Sequence, residues 1–198
     1  MLNYQNKIVV ITGGASGIGR AATLAFARHG AIVHVIELQD SGWPELHAEI
    51  LAAGGQAFIH TCDVSRQDKV VEVFSGIQKV DVLVNNAGIA HVGKVTTTAE
   101  ADFDRLYSVN IKGVYNCMFA AIPIMQKQGG GVILNMSSIA ALLGLPDRFA
   151  YSMTKGAVRA MTLSAARDYL ADKIRVTCIS PARVHTPFVD GFIAKNYP

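Results

Sequence analysis

The sequence predicts a doubly wound parallel α/β sheet, and three observations predict it. Six short β-branched or apolar runs, near Lys7, Ile32, Phe58, Val80, Val132 and Ile174, alternate with helical patterns along the chain. A glycine-rich turn separates the first run from the first helical pattern. The 198 residues are 51% apolar, enough for a sizeable core, and no linker, repeat or low-complexity segment divides them. Residues 1–198 therefore read as one domain.

The first strand, residues 7–11 (Lys-Ile-Val-Val-Ile), has the β-branched character of a buried parallel strand. Thr12, Gly13, Gly14, Ala15, Ser16, Gly17, Ile18 and Gly19 come next, then a helical stretch over residues 20–29 ending at Gly30. Small residues let backbone approach a pyrophosphate, and free N–H groups of a first helical turn bind it. The spacing is Gly-x-x-x-Gly-x-Gly, not the common Gly-x-Gly-x-x-Gly. A glycine turn without a ligand has the same composition, so the assignment rests on the motifs downstream.

The second strand, residues 31–36, ends at Glu37. A carboxylate about 20 residues past such a turn accepts hydrogen bonds from an adenosine ribose. It would repel a 2′-phosphate, and neither arginine nor lysine stands at Gly14, Ala15 or Leu38 to attract one. The expected carrier is NAD in preference to NADP. Residues 58–61 form a third strand delivering Cys62, Asp63 and Val64, where an adenine edge could be hydrogen-bonded. Residues 80–84 form a fourth, running into Asn85, Asn86, Ala87 and Gly88, a wall of small and amide residues. Such clusters are generic turn formers. Their weight comes from position, at the carboxyl ends of strands where open α/β sheets bind ligands.

The fifth strand runs through Ile133-Leu-Asn-Met-Ser-Ser138, and Tyr151-Ser-Met-Thr-Lys155 lies beyond it. With residues 144–149 as a loop and a helix starting near Phe149, Tyr151 and Lys155 share a face at i, i+4. An ammonium so close favours phenolate and draws the phenol below its reference of about 10. A phenol tuned toward neutrality can pass a proton to or from a carbonyl oxygen. That is half of an alcohol–ketone interconversion, and the dinucleotide site supplies the other half. An exposed tyrosine beside a solvated lysine is the plain alternative for the pair taken alone.

Together these motifs resemble a short-chain dehydrogenase/reductase of the compact single-domain type. Thr12-Gly-x-x-x-Gly-Ile-Gly19, Asp63, Asn85-Asn-Ala-Gly88, Asn110, Ser138, Tyr151-x-x-x-Lys155 and Pro181-x-x-x-x-Thr186 stand in that family's order and spacing. The texture is nearest the bacterial sugar or sugar-acid dehydrogenases. The resemblance implies strand order 3-2-1-4-5-6, Tyr151 as general acid/base, and Lys155 lowering its pKa while bonding the nicotinamide ribose. It implies Ser138, not Ser137, on the substrate oxygen. Asn110 would hold a water linking Lys155 to solvent, and Thr186, with Pro181 and Val184, would meet the nicotinamide. Two departures stand out. Pro181-Ala182 replaces the family's Pro-Gly, and the family's last helix and seventh strand are missing, so the chain is expected to be C-terminally incomplete.

Net charge is +3 without a basic cluster, which argues against a nucleic-acid surface. Apolar runs are too short to span a membrane, and no signal segment is evident. Cys62, Cys117 and Cys178 are scattered, and the six histidines lack metal-ligand spacing, so no metal is expected. A cytoplasmic protein with reduced thiols fits these features. Tyr107, Ile111, Val114, Met118, Ala121 and Met125 recur near helical spacing within residues 99–128. The stripe reads as core plus a subunit-packing surface, giving a homodimer or homotetramer as the family does.

A small alcohol or ketone substrate would meet loops at residues 89–98, 140–148 and from 183 onward. Ile139, Leu142, Leu143, Leu145, Phe149 and Phe188 are the expected apolar lining. His91, Arg148, Arg183 and His185 add polar reach, and Arg183 could hold a carboxylate. Trp43 is expected near the adenosine half. Two other readings compete: an NADPH-dependent carbonyl reductase, and a nucleotide-binding scaffold without turnover.

Overall fold

The computed structural model describes residues 3–186, 189 and 190. Six parallel strands form one sheet: β1 (Ile8–Thr12), β2 (Ile32–Glu37), β3 (Gln56–Thr61), β4 (Val82–Asn85), β5 (Gly131–Met136) and β6 (Ile174–Ile179). Their order is β3-β2-β1-β4-β5-β6, so chain direction across the sheet reverses between β1 and β4. Register pairs Thr12 with Ile36 on one side and with Asn85 on the other. The strand ends that carry the motifs are thereby brought level.

Helices α1 (Gly17–Arg28) and α2 (Trp43–Ala52) cover one face. Val9, Ile11, Val33, Val35, Val82 and Val84 point into that layer with Leu24, Leu46 and Ile50. Helices α3 (Gln67–Ser75), α4 (Glu100–Leu106), α5 (Gly113–Gln128) and α6 (Phe149–Asp168) belong to the other face. There Val10, Ile36, Leu83 and Ile133 meet Phe74, Met118, Met125 and Val158. Burial on both faces explains why the inner strands read as continuous apolar runs without alternation. The helix expected over residues 20–29 spans Gly17–Arg28, so it begins earlier than its pattern suggests.

Residues 100–128 are helical but not uniformly α. A π-helical stretch, Tyr107–Lys112, joins α4 to α5. Such insertions are rare and concentrate at functional sites. The apolar stripe is split accordingly. Val114, Met118, Ala121 and Met125 are buried, whereas Tyr107 is half exposed. Tyr115 and Phe119, with ring centroids 5.9 Å apart, are exposed on the outer side of α5. Among the described residues no helix is long and apolar enough to cross a membrane.

Candidate active site

A cavity of about 350 Å³ opens at the carboxyl ends of the strands, across the β1/β4 reversal where doubly wound sheets take ligands. Its wall contains Gly13, Ser16, Gly17, Ile18, Glu37, Asp63, Val64, Asn86, Ala87, Gly88, Ser138, Tyr151, Lys155, Pro181, Val184 and Thr186. Residues from opposite ends of the chain are thus gathered round one space. Ile36, Cys62, Val109 and Met136 also line it, beyond the residues the motifs single out. Ile36 and Met136 end strands and Cys62 follows one, whereas Val109 comes from the π-helical stretch, and motif spacing does not reveal that these elements meet at the cavity.

Gly19 is the exception among the expected cofactor residues. It is absent from the wall, and a Cβ there would collide with the Gly13 carbonyl oxygen. Its task is close packing of α1 beneath the turn. Asn86 faces the same turn: its Nδ2 donates to the carbonyls of Thr12 and Gly13 at 3.1 and 2.8 Å. Thr12 Oγ1 accepts from the amides of Asn86 and Ala87, both at 3.0 Å. The β1 and β4 ends are therefore stitched into one rigid floor.

This floor fits a dinucleotide. Gly13 and Gly17 hold positive φ, +64° and +52°, which glycine adopts without steric cost. Helix α1 begins with no side-chain cap at Ser16 and no acidic residue in its first turn. Its N–H groups and dipole end are therefore suited to phosphate. Glu37 Oε1 accepts from the Ala15 amide at 2.7 Å, tying the β2 carboxylate to the turn. Burial raises the Glu37 pKa, while hydrogen bonds from the amides of Ala15 and Leu38 oppose the rise. Asp63 Oδ1 accepts from the Ser65 amide at 2.9 Å. Val64 is held by Asn116, whose Nδ2 donates to its carbonyl at 2.8 Å. Thr186 sits opposite Gly17, closing the wall.

At the other end lie the chemistry-bearing side chains. Tyr151 and Lys155 are on the first turns of α6, as their spacing predicts. Ser138 comes just after β5, and its hydroxyl accepts from the Ala140 amide at 3.2 Å and hydrogen-bonds Tyr151. The neighbouring Ser137 hydroxyl is committed elsewhere, donating to the Lys155 carbonyl at 3.0 Å. Asn110 lies in the π-helical stretch and is buried. Its Oδ1 accepts from the Ile89 amide at 2.8 Å. Its Nδ2 donates to the Ile89 carbonyl at 2.9 Å and to Thr154 Oγ1 at 3.1 Å. The side chain clamps the segment beyond β4.

The expected phenol–ammonium pairing needs correction. Lys155 Nζ donates to the Met136 carbonyl at 2.8 Å and lies 5.8 Å from the Tyr151 ring centroid. Burial raises the Tyr151 pKa, and the Ser138 hydrogen bond and Arg148 charge oppose it only in part. Burial also lowers Lys155, to about 8. Spacing identifies the pair but not the desolvation, which disfavours both charged forms.

This burial makes stability depend on pH through Lys155. Unfolded, it keeps its proton to the ordinary value of 10.5, whereas folded it releases it near 8. Between those values the unfolded state binds more protons, so stability rises with pH, by at most about 1.4 kcal/mol per unit. Above about pH 10 the raised Tyr151 pKa acts in the opposite sense. Urea midpoints should climb from pH 8 to 10 in the natural protein and stay flatter in Lys155→Met.

Several substrate expectations fail to converge. Leu142, Leu143, Leu145 and Phe149 are exposed, and neither they nor Ile139 line the cavity. Those loop residues are apolar but lie on the outer surface of the turns. Phe188 falls outside the described residues. Arg183 is exposed and off the wall, and exposed His185 pairs with Asp190 at 3.1 Å. Arg148 is also off the wall, although its charge reaches Tyr151. Trp43 opens α2 and stacks on His47, with centroids 4.9 Å apart, away from the cavity lining. Among the described residues no group of three or more His, Cys, Asp or Glu could hold a metal ion.

Residues 7–196 match the family profile described as short chain dehydrogenase. The chain is 39% identical to an oxidoreductase of Thermotoga maritima, covering 98% of this chain and 77% of that protein. It is 39% identical to D-xylose 1-dehydrogenase of Caulobacter vibrioides, with 93% and 74% covered. Among solved structures, NAD+-bound xylitol dehydrogenase superposes with a TM-score of 0.91 at 29% identity, covering 95% and 74%. NADP-bound ElxO gives 0.87 at 32% identity, covering 96% and 79%.

Proposed function

The chain belongs to the short-chain dehydrogenases, oxidoreductases acting on CH–OH groups with NAD(P), and from that premise we propose that it interconverts a secondary alcohol and a ketone with NAD preferred. The observation that carries this reading is the convergence of Ser138, Tyr151 and Lys155 on the cavity walled by the glycine turn. One dinucleotide-binding domain does the work. The bound nicotinamide supplies or removes the hydride.

The remaining work falls to side chains of this chain. Tyr151 exchanges the proton of the substrate oxygen, with its buried phenol neutral at physiological pH and therefore ready to donate. Ser138 hydrogen-bonds the same oxygen and steadies charge developing on it. Lys155 bonds the nicotinamide ribose and, with its pKa near 8, loses and regains a proton within reach of neutral pH. Asn110 fixes the Ile89 segment that borders the reacting region. Gly13, Ser16, Gly17 and Ile18 take the pyrophosphate. Asp63 and Val64 take the adenine, Asn86, Ala87 and Gly88 back the nicotinamide, and Pro181, Val184 and Thr186 cover it.

Glu37 supports NAD. Its carboxylate lines the cavity and is pinned to Ala15, where a ribose would offer hydroxyls and a 2′-phosphate would bring like charge. Solved relatives carry either NAD+ or NADP, so the local charge is the deciding feature. NADH should bind more tightly than NADPH by about 1.4–2.7 kcal/mol, roughly 10–100-fold. Glu37→Gln should narrow that gap. Calorimetric titration is the appropriate measurement, because Trp43 lies off the wall. Equal affinities in the natural protein would refute the preference.

The xylose and xylitol enzymes support a sugar or polyol as substrate. A homodimer or homotetramer is part of this reading. It is supported by the exposed Tyr107, Tyr115 and Phe119. All three cysteines are free, as suits the cytoplasm.

A further inference from the structure

Two buried threonines of α6 make the same kind of hydrogen-bonded chain. Thr154 Oγ1 accepts from Asn110 Nδ2 at 3.1 Å and donates to the Tyr151 carbonyl at 2.8 Å. About two turns on, Thr162 Oγ1 accepts from Asn135 Nδ2 at 2.9 Å and donates to the Val158 carbonyl at 2.7 Å. Thr154, Thr162, Asn110 and Asn135 are all buried. A hydroxyl has one proton to donate, so each chain runs one way, from amide through hydroxyl to helix carbonyl.

The two chains differ in what they join. Asn135 lies on β5 and accepts from Asn85 Nδ2 of β4 at 2.8 Å, so Thr162 fastens the middle of α6 to the sheet. Asn110 grips both backbone groups of Ile89, a residue of the cavity wall. Thr154 therefore joins that wall to the main chain of Tyr151, which lines the same cavity. A Cβ on Gly88, also on the wall, would meet Asn110 Oδ1 at 3.2 Å and Lys155 Nζ at 3.5 Å. The tie is thus packed against the reacting end.

Tyr151 is the third residue of α6. It stands in the first turn, whose N–H groups have no partners within the helix. No side-chain hydrogen bond from Arg148 caps that turn. The turn that carries the phenol needs a hold from another element, and the chain from Asn110 through Thr154 supplies one.

We propose that Thr154 is a positioning residue for the reaction, its hydroxyl passing the grip of Asn110 on to the main chain of Tyr151 and so fixing how the phenol stands in the cavity. The role rests on the dehydrogenase activity proposed above. Thr162, with the same bonds and no link to the cavity wall, is its internal control.

The test compares Thr154→Val, which keeps the shape and removes the hydroxyl, with Thr154→Ser, which restores it, and with Thr162→Val. Ionisation of Tyr151 is read by difference absorbance, each protein against its own Tyr151→Phe counterpart, and needs no turnover. Burial, the Ser138 hydroxyl and the Arg148 charge set that ionisation, and Lys155 Nζ faces the ring. All of these side chains remain in the variants. In Thr154→Val the phenol should titrate nearer the ordinary tyrosine value than in the natural protein, and in Thr154→Ser it should return. Thr162→Val should lower the urea midpoint and leave the titration in place. With D-xylose or xylitol and NAD+ as probes, Thr154→Val should lose about 10–100-fold in kcat with calorimetric NADH affinity nearly unchanged. Thr162→Val should keep its kcat. A folded Thr154→Val with the natural titration, or a Thr162→Val that moves it equally, would overturn the proposal. If Thr154→Val does not fold, Thr154→Ala takes its place. Failure of both to fold, with Thr162→Val folded, would show a purely structural threonine and overturn the proposal too. Turnover absent on both probes would bear on the dehydrogenase reading, and the titration still decides the role of Thr154.

Discussion

Tyr151→Phe should lower turnover by about 10²–10⁴-fold while leaving NADH affinity within a small factor of the natural protein. The substitution removes one oxygen and keeps the ring that Lys155 Nζ faces at 5.8 Å. Wall and floor of the cavity are otherwise preserved. The same phenol predicts a directional asymmetry. Burial holds its proton above the ordinary tyrosine value, so donation to a ketone is favoured at neutral pH, whereas removal of an alcohol proton requires the phenolate. Alcohol oxidation should therefore accelerate as pH rises through the alkaline range, and ketone reduction should not. Steady-state rates in both directions, with calorimetry for cofactor, would test this. A Phe variant retaining most of its turnover would remove Tyr151 from the chemistry.

Gly19→Ala should be the most damaging glycine-to-alanine change among the described residues. The added carbon meets the Gly13 carbonyl oxygen and Asn86 Nδ2, both held in the stitched β1–β4 floor. Neither is the free end of a flexible chain, so the turn must move. Overpacking of this kind costs about 1–3 kcal/mol, and the displaced turn should also lose about 100-fold or more in NADH affinity. Gly156→Ala is the control. It lies in α6 with nothing within 4 Å of its added carbon, and should stabilise by about 0.5–1 kcal/mol through helix propensity. Denaturant midpoints and NADH titrations distinguish the two. A Gly19→Ala protein with native affinity would show that the turn is softer than its contacts imply.

Sheet order, the helix carrying Tyr151 and Lys155, and the gathering of the glycine turn, Glu37, Asp63 and Asn86 to Gly88 were legible in the sequence. Sheet order followed from the family resemblance that the motifs carry, and the rest depends on local patterning or on motif position relative to a strand end. Burial and direction were not legible. Gly19 carries a glycine for packing and not for ligand approach, a distinction visible only once Gly13 and Asn86 surround it. Asn116 and Gly113, which brace Val64 from α5, act across 52 and 49 residues of chain, and no short pattern announces such a contact. Leu142, Leu143 and Leu145 show the converse, since their apolar character implied a lining while turn geometry faces them outward. The direction of the Tyr151 pKa shift is hidden from the sequence for a related reason. Charge proximity can be read from spacing, but desolvation is set by the whole surrounding fold.

The π-helical stretch at Tyr107–Lys112 also sets a phase. Each α-helical residue turns the helix by about 100°, so a wider turn offsets everything downstream relative to everything upstream. One continuous rod can then address two clients that a regular helix could not serve together. Asn110 grips the Ile89 segment at the reacting end, while Val114, Met118, Ala121 and Met125 remain aimed at the sheet. Deleting a single residue there would tidy the winding and misalign one of the two. The irregularity joins the core to the rim of the cavity, which its own Val109 lines.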